Sequence, residues 1–233
     1  MSQPHAQSVL VAGVGPGLGA ALARAFAQEG YGVAMLARTP ATLAAIAAAD
    51  PQHLLPIPCD LTDPDAVEQA FTQTEAKFGP IACAIHNAGT FAPGSLLETS
   101  PAEFERCWRV TAFAGFLVGQ AAARRMAPRQ AGSILFTGAT ASLRGSARFA
   151  TLAAPKFALR ALAQSMAREF GPQGVHVAHV ILDGLILTEG RTPPVPDAHL
   201  DPAAIAEAYV QLHQQPRSAW TQELDLRPWS ERF

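Results

Sequence analysis

Apolar residues fall along this chain in short runs, separated by longer stretches of helical spacing. Val9 to Ala12 is such a run, followed by glycines and then by Ala20 to Glu29, whose apolar positions recur as on one helix face. Gly32 to Ala37 (GVAMLA) reads as a second buried strand. Thr39-Pro40 then opens a helix from Ala41 to Ala49, proline being suited to a first helical position. His53 to Pro58 is a third strand, shortened by Pro56 and Pro58. Thr62 or Asp63 caps an amphipathic helix from Pro64 to Phe78. After Gly79-Pro80 come strand four (Ile81 to Ile85), a long helix (Pro101 to Met126) and strand five (Ser133 to Thr137). A second long helix (Leu152 to Phe170), with Pro155 in its opening turn, leads to strand six (Val175 to Leu182). The proline-rich stretch Leu187 to Pro202 predicts a mobile loop on the substrate side. A short helix (Ala203 to Gln211) and a final strand (Glu223 to Leu226) complete the pattern.

Strands alternating with helices predict an α/β fold, a doubly wound parallel sheet of the Rossmann type in one domain, residues 1–233. Ligands of such sheets sit beyond the carboxyl ends of the strands, near the switch in strand order. That rule gathers Gly13–Gly19, Ala37–Arg38, Asp60–Leu61 and Asn87–Gly89 on one rim.

Composition narrows the partners. With 49% hydrophobic and 15% charged residues, a formal charge of −2 gives no reason to expect nucleic acid or an anionic membrane surface. No run of 18 apolar residues appears, and Met1 to Ser8 lacks the apolar core of a signal peptide, so a cytoplasmic location is expected. Cys59, Cys83 and Cys107 are scattered without CxxC spacing, which predicts reduced interior thiols and no metal site.

The glycine-rich turn carries the first chemistry. Gly13, Gly15, Gly17 and Gly19 let the backbone pass close to a ligand, and the helix beginning near Leu18 offers free N–H groups to a pyrophosphate. Taken alone, the same turn is also a sharp strand-to-helix connection. Asp60, after strand three, suits the adenine amino group or an ordinary helix cap, with Leu61 beside it. Asn87-Ala88-Gly89 offers small residues where a backbone passes a ribose. An NAD site usually carries a carboxylate roughly 20 residues after the fingerprint. Here Ala37 is followed by Arg38 and Thr39, which favours the 2′-phosphate of NADP(H).

Taken together, the motifs resemble the short-chain dehydrogenase/reductase family from Val9 to about Thr188. Gly13-xxx-Gly17-x-Gly19 is similar to the family's TGxxxGxG, with Ala12 for Thr. His86-Asn87-Ala88-Gly89 is similar to its NNAG stretch. Asp183-Gly184 with Thr188 is similar to its PG-xxx-T segment beside the nicotinamide, with Asp183 for Pro. The resemblance implies a nicotinamide cofactor and homodimers or homotetramers built through the two long helices. It also implies a catalytic tetrad, and there this sequence departs. The family's Tyr-xxx-Lys pair falls on Leu152 and Lys156, its serine on Ala139 and its asparagine on Thr111.

Leucine and alanine neither donate a proton nor polarise a carbonyl, so the loss falls on the general acid. Lys156 is one of only two lysines, and its ammonium suits the nicotinamide-ribose hydroxyls. Thr111 and Thr140 are the candidate replacements for orienting a substrate oxygen, with Ser142 and Thr151 nearby; all four also suit backbone turns. Arg144 and Arg148 suit an acidic substrate or plain solvation, while Phe91, Leu96 and Phe149 predict an apolar mouth. Tyr31 is expected on the wrong side of the sheet, and the orientation of Tyr209 is open. The leading expectation is an NADP(H)-dependent oxidoreductase acting on a small activated carbonyl with a non-standard proton path. The alternatives are a non-catalytic NADP(H)-binding sensor or partner subunit, and a purely structural half of an assembly.

Overall fold

Buried apolar runs place the strands side by side. In a computed structural model that describes residues 7–188 and 190–231, Val9, Leu10 and Val11 of β1 (Ser8–Ala12) are fully enclosed. Continuous apolar strands of this kind require cover on both sheet faces. Around β1 the parallel sheet has the order β3-β2-β1-β4-β5-β6-β7. The strands are β2 (Gly32–Ala37), β3 (Leu54–Pro58), β4 (Ile81–His86), β5 (Ser133–Thr137), β6 (His176–Leu182) and β7 (Glu223–Leu226). Val11 registers with Met35 on one side and Ile85 on the other. Chain order reverses between β1 and β4, and that reversal opens a crevice at their carboxyl ends.

One face is covered by α1 (Leu18–Gln28), α2 (Pro40–Ala47) and α7 (Pro202–His213), whose Phe26, Leu43 and Tyr209 enter a shared core. The other is covered by α3 (Pro64–Phe78), α5 (Ala114–Met126) and α6 (Ala150–Phe170), through Phe71, Val118 and Leu159. Asp63, of the two candidates, caps α3 by accepting from the N–H groups of Asp65 and Ala66.

Two expectations are corrected. The stretch Pro101 to Met126 is interrupted: α4 (Pro101–Trp108) passes through a π-helical segment, Arg109–Phe113, before α5. The wider turn changes the backbone bonding, and the Thr111 carbonyl accepts a hydrogen bond from Nε2 of buried His86 at 3.0 Å. Second, α6 starts at Ala150, so Pro155 lies beyond the opening turn, inside the helix. On α6, Leu159 and Met166 point into the core, whereas Phe157 is exposed.

The stretch after β6 is pinned at its two ends. Leu187 N–H donates to the Leu200 carbonyl and Leu200 N–H to that of Leu185. Trp229 adds a side-chain bond, its indole N–H reaching the Pro196 carbonyl at 3.2 Å.

Candidate active site

A cleft of ≈ 1010 Å³ runs along the carboxyl ends of the central strands. Every residue read from the sequence as cofactor-binding lines it except Thr188, which is exposed on the segment beyond β6. Gly13 has φ +96°, and a Cβ there would lie 2.4 Å from the Ala88 backbone nitrogen, so the turn and the β4 exit touch backbone to backbone. Asn87 locks that contact by donating from Nδ2 to the Gly13 carbonyl at 2.9 Å. Gly15 and Gly17 face open space instead. Among the described residues no side chain caps α1, and no acidic residue occupies its first turn. The positive end of the α1 dipole is therefore available to an anion.

At the adenine end, Arg38 and Thr39 are exposed on the rim after β2, opposite Asp60. Asp60 accepts from both the backbone N–H and the hydroxyl of Thr62, at 2.9 and 2.8 Å. These bonds, aided by the charges of Arg38 and Arg109, hold its carboxyl below the usual range. Arg106 and Arg109 complete this wall from α4 and the π-helical segment. Sequence reasoning missed both, although their spacing of three puts them on one helical face.

Lys156 closes the other end. Its Nζ is buried and donates to the Thr137 carbonyl at 2.6 Å, and burial lowers its pKa to about 8. Gly89 leaves room above it: a Cβ there would stand 3.7 Å from both Lys156 Nζ and Thr111 Oγ1. Leu152 and Ala139 form the adjoining wall and present hydrocarbon. Burial, with Lys156 adding to it, drives the His86 imidazole down to about 3. His179 is driven to about 4 by the same pair of causes, burial foremost.

The candidate hydroxyls are turned elsewhere. Thr111 is fully buried, its Oγ1 accepting from Thr90 N–H at 3.4 Å, and Thr140 Oγ1 donates to Asp183. Neither lines the cleft. Ser142 accepts from Ala139 N–H and Thr151 donates to the Ala92 carbonyl. Tyr31 meets His213, as expected on the far face. Tyr209 also lies on that face, buried in the core, with its hydroxyl 2.7 Å from Thr137 Oγ1. Phe91 and Phe149 stack at 4.8 Å beside the Lys156 end. No group of three or more metal-binding side chains occurs among the described residues, and none of their helices is long and apolar enough to cross a membrane.

Comparison with known proteins agrees with this fold. The family model described as short chain dehydrogenase matches residues 7–198. The 3-oxoacyl-[acyl-carrier-protein] reductase MabA of Mycobacterium avium is 34% identical over 183 residues, covering 78% of this chain and 68% of its own. A crystal structure of a short-chain dehydrogenase from Rhodopseudomonas palustris superposes with a TM-score of 0.85 at 39% identity, over 97% of this chain and 100% of that one. A metagenomic short-chain oxidoreductase in complex with NADP gives 0.84 at 27% identity, over 97% and 99%. Matched by the family model over residues 7–198 and by a relative 34% identical over 78% of its length, the chain belongs to the short-chain dehydrogenase family.

Proposed function

We propose that this protein is an NADP(H)-dependent oxidoreductase that reduces a small, activated carbonyl compound with a tetrad of which only Lys156 remains. The observation that carries the reading is Arg38. It stands on the rim just after β2, where a carboxylate would repel a 2′-phosphate and a guanidinium can grip one. The NADP complex of the related oxidoreductase supports the same cofactor.

The residues present fit such a group. Gly15 and Gly17 with the uncapped end of α1 would hold the pyrophosphate, Asp60 and Leu61 the adenine, and Asn87 to Gly89 the ribose side. Lys156, Gly184 and Thr188 would serve the nicotinamide end. When bound, the cofactor supplies or accepts a hydride. The protein's own part is to fix the reacting carbon against that end and exclude water with Leu152 and the Phe91–Phe149 stack. The segment 187–202 acts as the lid on the substrate side.

Exposed Trp108 and Phe116, ring-stacked through Phe113, and exposed Phe157 on α6 support a homodimer or homotetramer through the long helices. A cytoplasmic location remains part of this reading.

The test is fluorescence titration with NADPH and NADH, followed by a panel of activated ketones, quinones and enones. Removing one charge-assisted contact of roughly 1.5–3 kcal/mol weakens binding about 10- to 150-fold. Arg38→Ala should therefore lose that much NADPH affinity and leave NADH unchanged. Binding without turnover on any member would favour the sensor reading, which the hydrocarbon wall of Leu152 and Ala139 also suits.

A further inference from the structure

Among the described residues, Lys156 is the one ammonium that lines the inner end of the cleft. Leu152 precedes Lys156 by one helical turn, on the same face of α6, and presents only methyl groups. Ala139 adds another. The hydroxyls of Thr111 and Thr140 lie outside the cleft wall, and Tyr209 is on the opposite face of the sheet. Lys156 by contrast lines the cleft, with one N–H given to the Thr137 carbonyl and an ammonium that carries two more.

We propose that Lys156 is itself the proton donor of the reduction, its ammonium taking the part that a phenol would otherwise play. The proposal rests on the cofactor reading above, because a reduced nicotinamide must supply the electron pair. As hydride adds to the carbonyl carbon, the C=O π pair moves to oxygen. An O–H bond forms there while one Nζ–H bond breaks, and the electron pair left on Nζ makes a neutral amine. Solvent reprotonates that amine once the alcohol leaves. One hydride and one proton are consumed per carbonyl, so the balance closes.

The surroundings favour this role. Facing Lys156 are the Thr137 carbonyl from β5, His86 from β4, His179 from β6 and Thr111 from the π-helical segment. None of these carries negative charge, and both imidazoles are held neutral. Among the described residues no carboxylate forms an ion pair with Nζ. No ion pair among the described residues therefore offsets the desolvation that makes the ammonium an acid near pH 8. An acid whose pKa lies close to the working pH transfers its proton most effectively.

The chain has only Lys77 and Lys156, so lysine NMR resolves each directly. Full-length protein with isotope-labelled lysine is titrated from pH 6 to 11 without and with NADP⁺, and Lys77→Arg assigns the signals. In parallel, NADPH oxidation is followed with 2,2,2-trifluoroacetophenone as the probe. The expected result is a Lys156 transition near pH 8 in the free protein. In the NADP⁺-loaded protein, its transition should coincide with a pH above which kcat falls tenfold per unit. Lys156→Arg, whose guanidinium stays protonated, should slow oxidation of bound NADPH by about 10²- to 10⁴-fold. A Lys156 transition above pH 10 in the free protein, a pH-independent kcat, or full activity in Lys156→Arg overturns the proposal while leaving the cofactor reading intact. NADPH binding with no oxidation by the probe at any pH also overturns it. Failure of NADPH to bind wild-type protein overturns the cofactor reading, and this proposal with it.

Discussion

Thr140 Oγ1 donates to Asp183 Oδ1 across 2.5 Å, joining the turn after β5 to the end of β6. Asp183 is almost wholly buried, and its carboxylate also faces Arg144 at 3.8 Å and Arg227 at 3.5 Å. Its backbone N–H donates to the Leu226 carbonyl. One residue thus ties together the loop after β5, the exit of β6 and the C-terminal segment. Asp183→Ala should lower stability by about 1–3 kcal/mol, the range for stranding buried hydrogen-bond partners. Asp183→Asn should lose less, since it keeps an acceptor for Thr140. Urea denaturation of both variants reads the difference.

The glycines of the turn should separate folding from binding. Gly13→Ala must place a methyl group 2.4 Å from the Ala88 nitrogen at φ +96°, so it should destabilise the fold by more than about 1 kcal/mol. Gly17→Ala meets nothing within 4 Å, so its thermal midpoint should stay near wild type. NADPH titration should nevertheless show weakened binding, because the methyl group intrudes where the pyrophosphate would approach.

Stability should fall in mild acid. The imidazoles of His86, His179 and His213 are held at about 3, 4 and 4, mainly by burial, against about 6.5 in the unfolded chain. Below pH 6.5 the unfolded state therefore binds more protons than the folded one, and stability drops as pH falls toward 4. The slope approaches about 1.4 kcal/mol per pH unit for each histidine. His176 is lowered by burial as well, so urea midpoints between pH 7 and 5 measure the sum, and His179→Gln should make the slope shallower by one histidine's share.

Lys156→Met should abolish turnover and yet stabilise the protein. A folded-state pKa of about 8 against about 10.4 unfolded means that the buried ammonium costs about 3 kcal/mol at neutral pH. Wild-type stability then rises as pH climbs through that interval, and the advantage of the methionine variant should shrink over it. Thermal unfolding at pH 7 and pH 10 tests both the sign and the trend.

The strands and the rim were legible because they rest on local rules. Apolar runs such as Val9 to Ala12 announce buried parallel strands, and glycine spacing announces the turn. The roles of Thr111 and Thr140 were not legible, since a hydroxyl's partner is chosen by residues distant in sequence. The Thr111 hydroxyl is buried and accepts from Thr90 N–H, 21 positions away, and Thr140 donates to Asp183, 43 positions away. Arg106 and Arg109 stayed hidden because nothing local says which face of their helix meets the cleft, although their spacing of three puts both on one face. Tyr209 could not be oriented until α7 was seen packed on α1 and β5.

The widened turn at Arg109–Phe113 has a geometric outcome of its own. Each helical residue advances the side-chain direction by about 100°, so the widened turn sets α4 and α5 out of phase with one another. Cys107 can then face inward while Arg106 and Arg109 stay with the cleft, and α5 independently turns Val118 and Ala122 to the sheet. Deleting one residue within the turn would rotate the whole adenine-side wall relative to the core helix. What looks in the sequence like one rod is two, each clocked to a different neighbour.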